Sequence, residues 1–191
     1  PPFGAESRGT MTGPDTSLAD IRNEIDAIDD GIVDLLVRRA AAQRKVKARK
    51  VSDGTLAVSP VRPAREAEIL RRIVKRGGGE LNPELLVRLW RGILVASTLT
   101  QAPVNVHVAH RTLSAGGTAG ILAAHFGPMP LLARDSDQDA VTATAAARGD
   151  LCVVETSGPW ANAFLKGHNG RARVLGVLPV LKHGDVPSLL L

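Results

Sequence analysis

The sequence carries a single cysteine, Cys152, among 191 residues. That excludes an intrachain disulfide framework and a zinc site built on thiolates. Long apolar runs are missing as well. None approaches the roughly 20 residues that span a bilayer, so no transmembrane helix is expected. Residues 1–16 lack both the apolar core of a secretory signal and the arginine-rich pattern of a transit peptide. A soluble, cytoplasmic protein is the expectation. The same stretch is polar and rich in Gly and Pro, which predicts a disordered leader, with Met11 as the native start and residues 1–10 as a tag or upstream remnant. Aromatic residues amount to only 3%, yet 44% of the chain is hydrophobic and 23% charged. That balance excludes global disorder and suffices for one or two compact domains.

The net charge of +5 is unevenly spread. Residues up to Gln101 hold 17 basic and 13 acidic side chains, and those from Ala102 onward hold 7 and 6. All five histidines lie in the second part. The sequence therefore predicts two different domains, a helical one over residues 17–102 and an α/β one over 103–191.

Ser17, with Asp20 three residues later, forms a capping-box-like helix start. Leu18, Ile21, Ile25, Ile28, Ile32, Leu35, Arg39, Ala42 and Val46 then recur at spacings of three and four. This heptad-like stripe predicts one helix from Ser17 to Val51, about 50 Å long. A shorter helix follows, with Pro63 in its first turn and Gly77-Gly78-Gly79 as its stop. Asn82-Pro83 caps a third, which carries Leu85, Leu86, Leu89, Trp90, Ile93 and Leu94. Three such helices cannot bury so long a stripe within one subunit. Dimerisation would cover it.

The informative residues are polar ones on these apolar stripes. Arg39 sits where the pattern calls for an aliphatic side chain, and Lys50, eleven residues on, projects from nearly the same face. Glu66 precedes Ile69, Leu70 and Ile73 by three, four and seven residues; Ser97 and Gln101 continue the line of Leu86, Trp90 and Ile93. Burying such groups unpaired would cost several kcal/mol, so they either satisfy one another or receive a polar ligand. The structural alternative is a buried Arg39–Glu66 ion pair with Lys50 reaching to water. Cations outnumber anions in the set, which favours an anionic ligand. Arg22 points about 100° away from Arg39 on the same helix and suits a partner's pocket better than its own.

Leu18-Ala19-Asp20-Ile21-Arg22, Asp34-Leu35-Leu36-Val37-Arg38-Arg39, Lys50, Ala64-Arg65-Glu66-Ala67-Glu68-Ile69-Leu70 and Ser97-Thr98-Leu99-Thr100-Gln101 carry a resemblance. Ser17 to Gln101 resembles the all-helical chorismate mutases of bacterial aromatic amino-acid biosynthesis, in the shikimate pathway. The resemblance implies an intertwined three-helix homodimer that converts chorismate to prephenate. It assigns the two substrate carboxylates to Arg39 and to Arg22 of the partner subunit. It assigns hydrogen bonds to the ether oxygen to Lys50 and Gln101, and the ring hydroxyl to Glu66, with Arg65 and Ser97 completing the shell. Arg62 departs from the family pattern, which is often acidic there. The reaction is pericyclic and needs no metal or cofactor, so none is expected. An isochorismate-pyruvate lyase on the same fold is an alternative, as is a catalytically weak regulatory protein that binds another aromatic-pathway enzyme.

Between Arg38 and Lys50 lie seven basic and no acidic residues. Nucleic-acid binding is the rival reading of that run, but no aromatics interleave it and two members already have ligand roles. Neither nucleic acid nor membrane is an expected partner.

The second part alternates strand and helix patterns: strands at 104–109, 130–133, 151–155 and 173–181, and helices at 113–126 (interrupted by Gly116-Gly117), 138–148 and 160–166. That predicts a small, mainly parallel α/β unit. Asp150-Leu151-Cys152-Val153-Val154-Glu155-Thr156-Ser157-Gly158 and Val174-Leu175-Gly176-Val177-Leu178-Pro179 resemble the first lobe of a prephenate dehydratase domain in degenerate form. The Thr-Arg-Phe catalytic motif is absent and no second lobe precedes Leu191, so dehydratase activity is not expected. His107 and His110 are read as surface or loop residues and a poor metal pair. Cys152 is read as an inert core residue.

Overall fold

A computed structural model describes residues 17–54, 60–167, 170, 172–180 and 188–191. The expected leader at 1–16 and two histidines, His168 and His183, lie outside the described residues. The chain divides into two compact units between Arg49 and Lys50.

The first unit is most of helix α1 (Leu18–Ser52). The capping box forms as the sequence predicts. The Asp20 amide donates to Ser17 Oγ at 3.2 Å, and Ser17 returns its own N–H and hydroxyl to the Asp20 carboxylate at 3.1 and 2.7 Å. No residue of α1 is buried. The stripe residues Ile21, Ile25, Ile28, Ile32 and Leu35 keep 43, 52, 55, 50 and 60% of their surface. Such an apolar stripe on a helix marks a surface that another element covers.

The second unit opens with α2 (Pro63–Gly77) and α3 (Pro83–Leu99), each with proline in its first turn. The Asn82 side chain accepts from the Glu84 amide at 2.7 Å, which fixes the start of α3. Then follow β1 (Val106–Ala109), α4 (His110–Ser114), α5 (Thr118–Phe126), β2 (Leu131–Arg134), α6 (Asp137–Ala146), β3 (Leu151–Glu155) and α7 (Pro159–Leu165), with β4 (Val177–Leu178) and β5 (Leu189–Leu190) last. Gly117, at φ 80°, supplies the left-handed residue that separates α4 from α5.

The sheet order is β2-β1-β3-β5-β4. Strand β1 runs parallel to both neighbours, with Val106 opposite Leu131 and Leu151. Strand β5 is antiparallel to both β3 and β4. The mainly parallel expectation thus holds for the first three strands, while the far edge is antiparallel. The expected strand at 173–181 shortens to Val177–Leu178, because Pro179 has no N–H to continue the ladder. The C-terminal leucines form the strand that pairs between β3 and β4, which the sequence does not announce.

All four residues of β1 are buried, as befits a central strand covered on both faces. Val153 packs with Val95 of α3 and with Leu122 and Phe126 of α5. The next residue, Val154, points to the opposite face and packs with Val141 of α6 and Trp160 of α7. Helix α3 is therefore part of the wall of the sheet's core.

Candidate active site

The side chains singled out in the sequence fall into both units. Arg22 and Arg39 lie on α1 in the first; Lys50, Arg65, Glu66, Ser97 and Gln101 belong to the second. Arg22 is exposed, and Arg39 and Lys50 are half-buried. Burial pulls the Arg39 guanidinium below its ordinary pKa, although an arginine remains charged across the physiological range.

On α2, Glu66 shares the inner stripe with Leu70 and Ile73, the two buried residues of that helix. Its side chain keeps 15% exposure. The Arg91 guanidinium of α3 donates through Nη1 to Glu66 Oε2. Through Nη2 and Nε, Arg91 also donates to the backbone carbonyl of His125 on α5, at 3.0 and 3.3 Å. The sequence reading pairs Glu66 with Arg39 as its structural alternative; the partner that the packing shows is Arg91. Sequence reasoning misses Arg91 although a signal exists. It precedes Leu94, Val95 and Thr98, all buried, by three, four and seven residues.

Ser97 is buried, and its hydroxyl donates to the Ile93 carbonyl at 2.6 Å. Gln101 is half-buried and donates through Nε2 to the Ser97 carbonyl at 3.2 Å. Each thus spends a donor on the last turns of α3. Arg65 faces the other way, two-thirds exposed, and pairs with Glu68 at 2.9 Å on the same helix. Arg62 is exposed too. The second unit therefore places Glu66 on an inner face with Arg91, and leaves Arg65 outside that group.

Of the two histidines read as surface or loop residues, His107 behaves differently. His107 keeps 3% exposure on β1; its Nδ1 accepts from Arg134 Nε at 3.1 Å, and its Nε2 lies 3.1 Å from Asp150 Oδ2. An internal strand position facing α6 leaves it no access to water. His110 is exposed as expected. His125 has 9% exposure, and burial, aided by the nearby Arg91 charge, pushes its pKa down to about 3. Burial likewise pushes the Cys152 thiol up, away from reactivity. At the carboxyl ends of the parallel strands, Arg111 meets Asp137 at 2.7 Å and Glu155 at 3.6 Å.

Residues 21–102 match the family model of chorismate mutase type II. This segment is a chorismate mutase type II domain. It runs from the first turn of α1 through α3 and stops at the junction with β1. The bifunctional chorismate mutase/prephenate dehydratase of Stutzerimonas stutzeri is 33% identical over 91 residues, and the protein of the same description from Pseudomonas aeruginosa is 31% identical over 92. Each match covers 47% of this chain and 25% of the relative. The chain thus spans about a quarter of the length of these curated relatives. No solved structure matches. Among the described residues, no helix is long and apolar enough to cross a membrane. The mutase domain contains every side chain singled out for the site, and Arg91 besides.

Proposed function

We propose that the protein is a chorismate mutase, an isomerase that rearranges chorismate to prephenate in the cytoplasm. The observation that carries this reading is the family match over residues 21–102, which spans nearly all of the three helices and every residue assigned to the site. Arg39 and Arg22 of the partner subunit hold the two carboxylates of the substrate. Lys50 and Gln101 donate to the ether oxygen, Glu66 accepts from the ring hydroxyl, and Arg65 and Ser97 complete the surroundings.

The chemistry suits such a site. The rearrangement breaks a C–O bond and forms a C–C bond within one molecule, so no nucleophile is consumed. Cations fixed on helices select the compact reactive conformer. Donors already oriented toward the ether oxygen meet the negative charge that grows there, without reorganising as it forms.

The uncovered stripe on α1 supports a homodimer, because a second copy offers a matching apolar surface. The same stripe also favours a second reading, a catalytically weak protein that docks on another enzyme of aromatic biosynthesis. In either reading, residues 17–102 form the mutase-like part, and residues 103–191 have a regulatory, stabilising or partner-binding role. Purified full chain is incubated with chorismate, and the product is identified by mass and by its acid conversion to phenylpyruvate. Prephenate formation at enzymatic rates supports the proposal; a folded protein that leaves chorismate unchanged refutes it. Isochorismate, tested in parallel, separates the lyase alternative.

A further inference from the structure

We propose that Arg91 is a positioning residue for the Glu66 carboxylate, fastening it to the carboxyl end of α5. The inference rests on the mutase reading, in which Glu66 touches the substrate. Arg91 is itself outside the set of substrate-holding residues.

The geometry is specific. Arg91 keeps 8% exposure, and its planar fork is divided between two acceptors. One amino group serves Glu66 Oε2; the other, together with Nε, serves the His125 carbonyl. That carbonyl lies in the last turn of α5 (Thr118–Phe126), where main-chain oxygens have no intrahelical donor. A helix carboxyl end also carries partial negative charge. The guanidinium thus neutralises a carboxylate on one side and a helix end on the other. A lysine has the charge but not the fork, and cannot serve both acceptors in this way.

The consequence concerns the direction of Glu66. With Oε2 held, rotation of the carboxylate is restricted, and its other oxygen is presented in a set direction. Helix α5 lies beyond the matched segment, and its carbonyl orients Arg91. The α/β part therefore meets the mutase domain at Arg91 through a backbone carbonyl, beside the apolar contacts of Val95. Misplacing a reacting group by about 1 Å can cost roughly a hundredfold in rate.

The test uses the full chain as wild type, Arg91→Gln, Arg91→Lys, Glu66→Gln, and each Arg91 variant combined with Glu66→Gln. Chorismate turnover gives kcat and KM, and thermal melts report folding. Arg91→Gln is expected to lower kcat roughly 10- to 100-fold with little change in KM, and Arg91→Lys to recover part of that loss. In the Glu66→Gln background the Arg91 changes are expected to cost almost nothing further. Should Arg91→Gln fail to fold, the Arg91→Lys and Glu66→Gln cycle gives the same comparison. A folded Arg91 variant with wild-type kcat overturns the inference, as does an equal loss with and without Glu66. A folded wild type that makes no prephenate overturns the mutase reading and this inference together. An active wild type indifferent to Arg91 overturns the inference alone.

Discussion

Arg39, Lys50 and Gln101 stand out in the sequence because polar groups on an apolar stripe demand a partner. Each replaced by alanine is expected to leave a folded protein whose kcat/KM for chorismate falls roughly 100- to 1000-fold, the range for removing one preoriented donor. Steady-state kinetics beside circular dichroism checks this. Arg91 lies on a stripe just as visibly, but its partners are 25 residues before it and 34 after it, and only packing brings them together. The His107–Asp150 contact spans 43 residues and is equally hidden. His125 adds a pH dependence. Its folded pKa of about 3 lies below the unfolded value of about 6.5, so the unfolded chain takes up the proton first. The stabilising share of neutral His125 is present above pH 6.5 and is lost as pH falls toward 3. Arg91 opposes the second charge from across the contact, and Glu84 and Arg88 line the cleft nearby. At pH 5 the loss is about 2 kcal/mol, so His125→Gln is expected to flatten the fall in urea midpoint between pH 7.5 and pH 5 relative to wild type.

Helix ends were the most readable elements because their signals are local. Ser17 with Asp20, and Asn82 ahead of Pro83, satisfy free amide groups within three residues. Gly117 separates α4 from α5 by its own backbone angle. The short strands β4 and β5 carried no comparable signal. Two residues cannot show a period, and their pairing depends on a return of the chain. The α1 stripe yields a prediction of its own. Burying one isoleucine at an interface contributes about 1.5–3 kcal/mol, and a two-fold dimer counts it twice. Ile28→Asp is therefore expected to abolish the dimer and turnover together. Light scattering on the eluted protein reads this as loss of the species at about twice 20.1 kDa. A variant that stays dimeric and active removes this stripe from the interface.

Across the whole chain, the compositional change near residue 102 does not mark a gap in packing. Val95 of α3 shares one core with Val106 and Val108 of β1 and with Leu122 of α5. Leu122 is fully buried, and Leu122→Ala is expected to cost about 2–5 kcal/mol. If that core supports the mutase helices, the temperature at which turnover is lost falls in step with the unfolding midpoint. Turnover that survives unfolding of the sheet contradicts a shared core. The three helices of the first part, the caps of α1 and α3, and the alternation of the first three strands with helices were determined by the sequence, because propensity, capping and hydrophobic period act over a few neighbouring residues. Tertiary structure decided that α3 walls the sheet, that Glu66 meets Arg91, that His107 is internal, and that the last leucines enter between β3 and β4. Those are choices between surfaces distant along the chain, and they follow from which apolar faces can be buried together without stranding a charge.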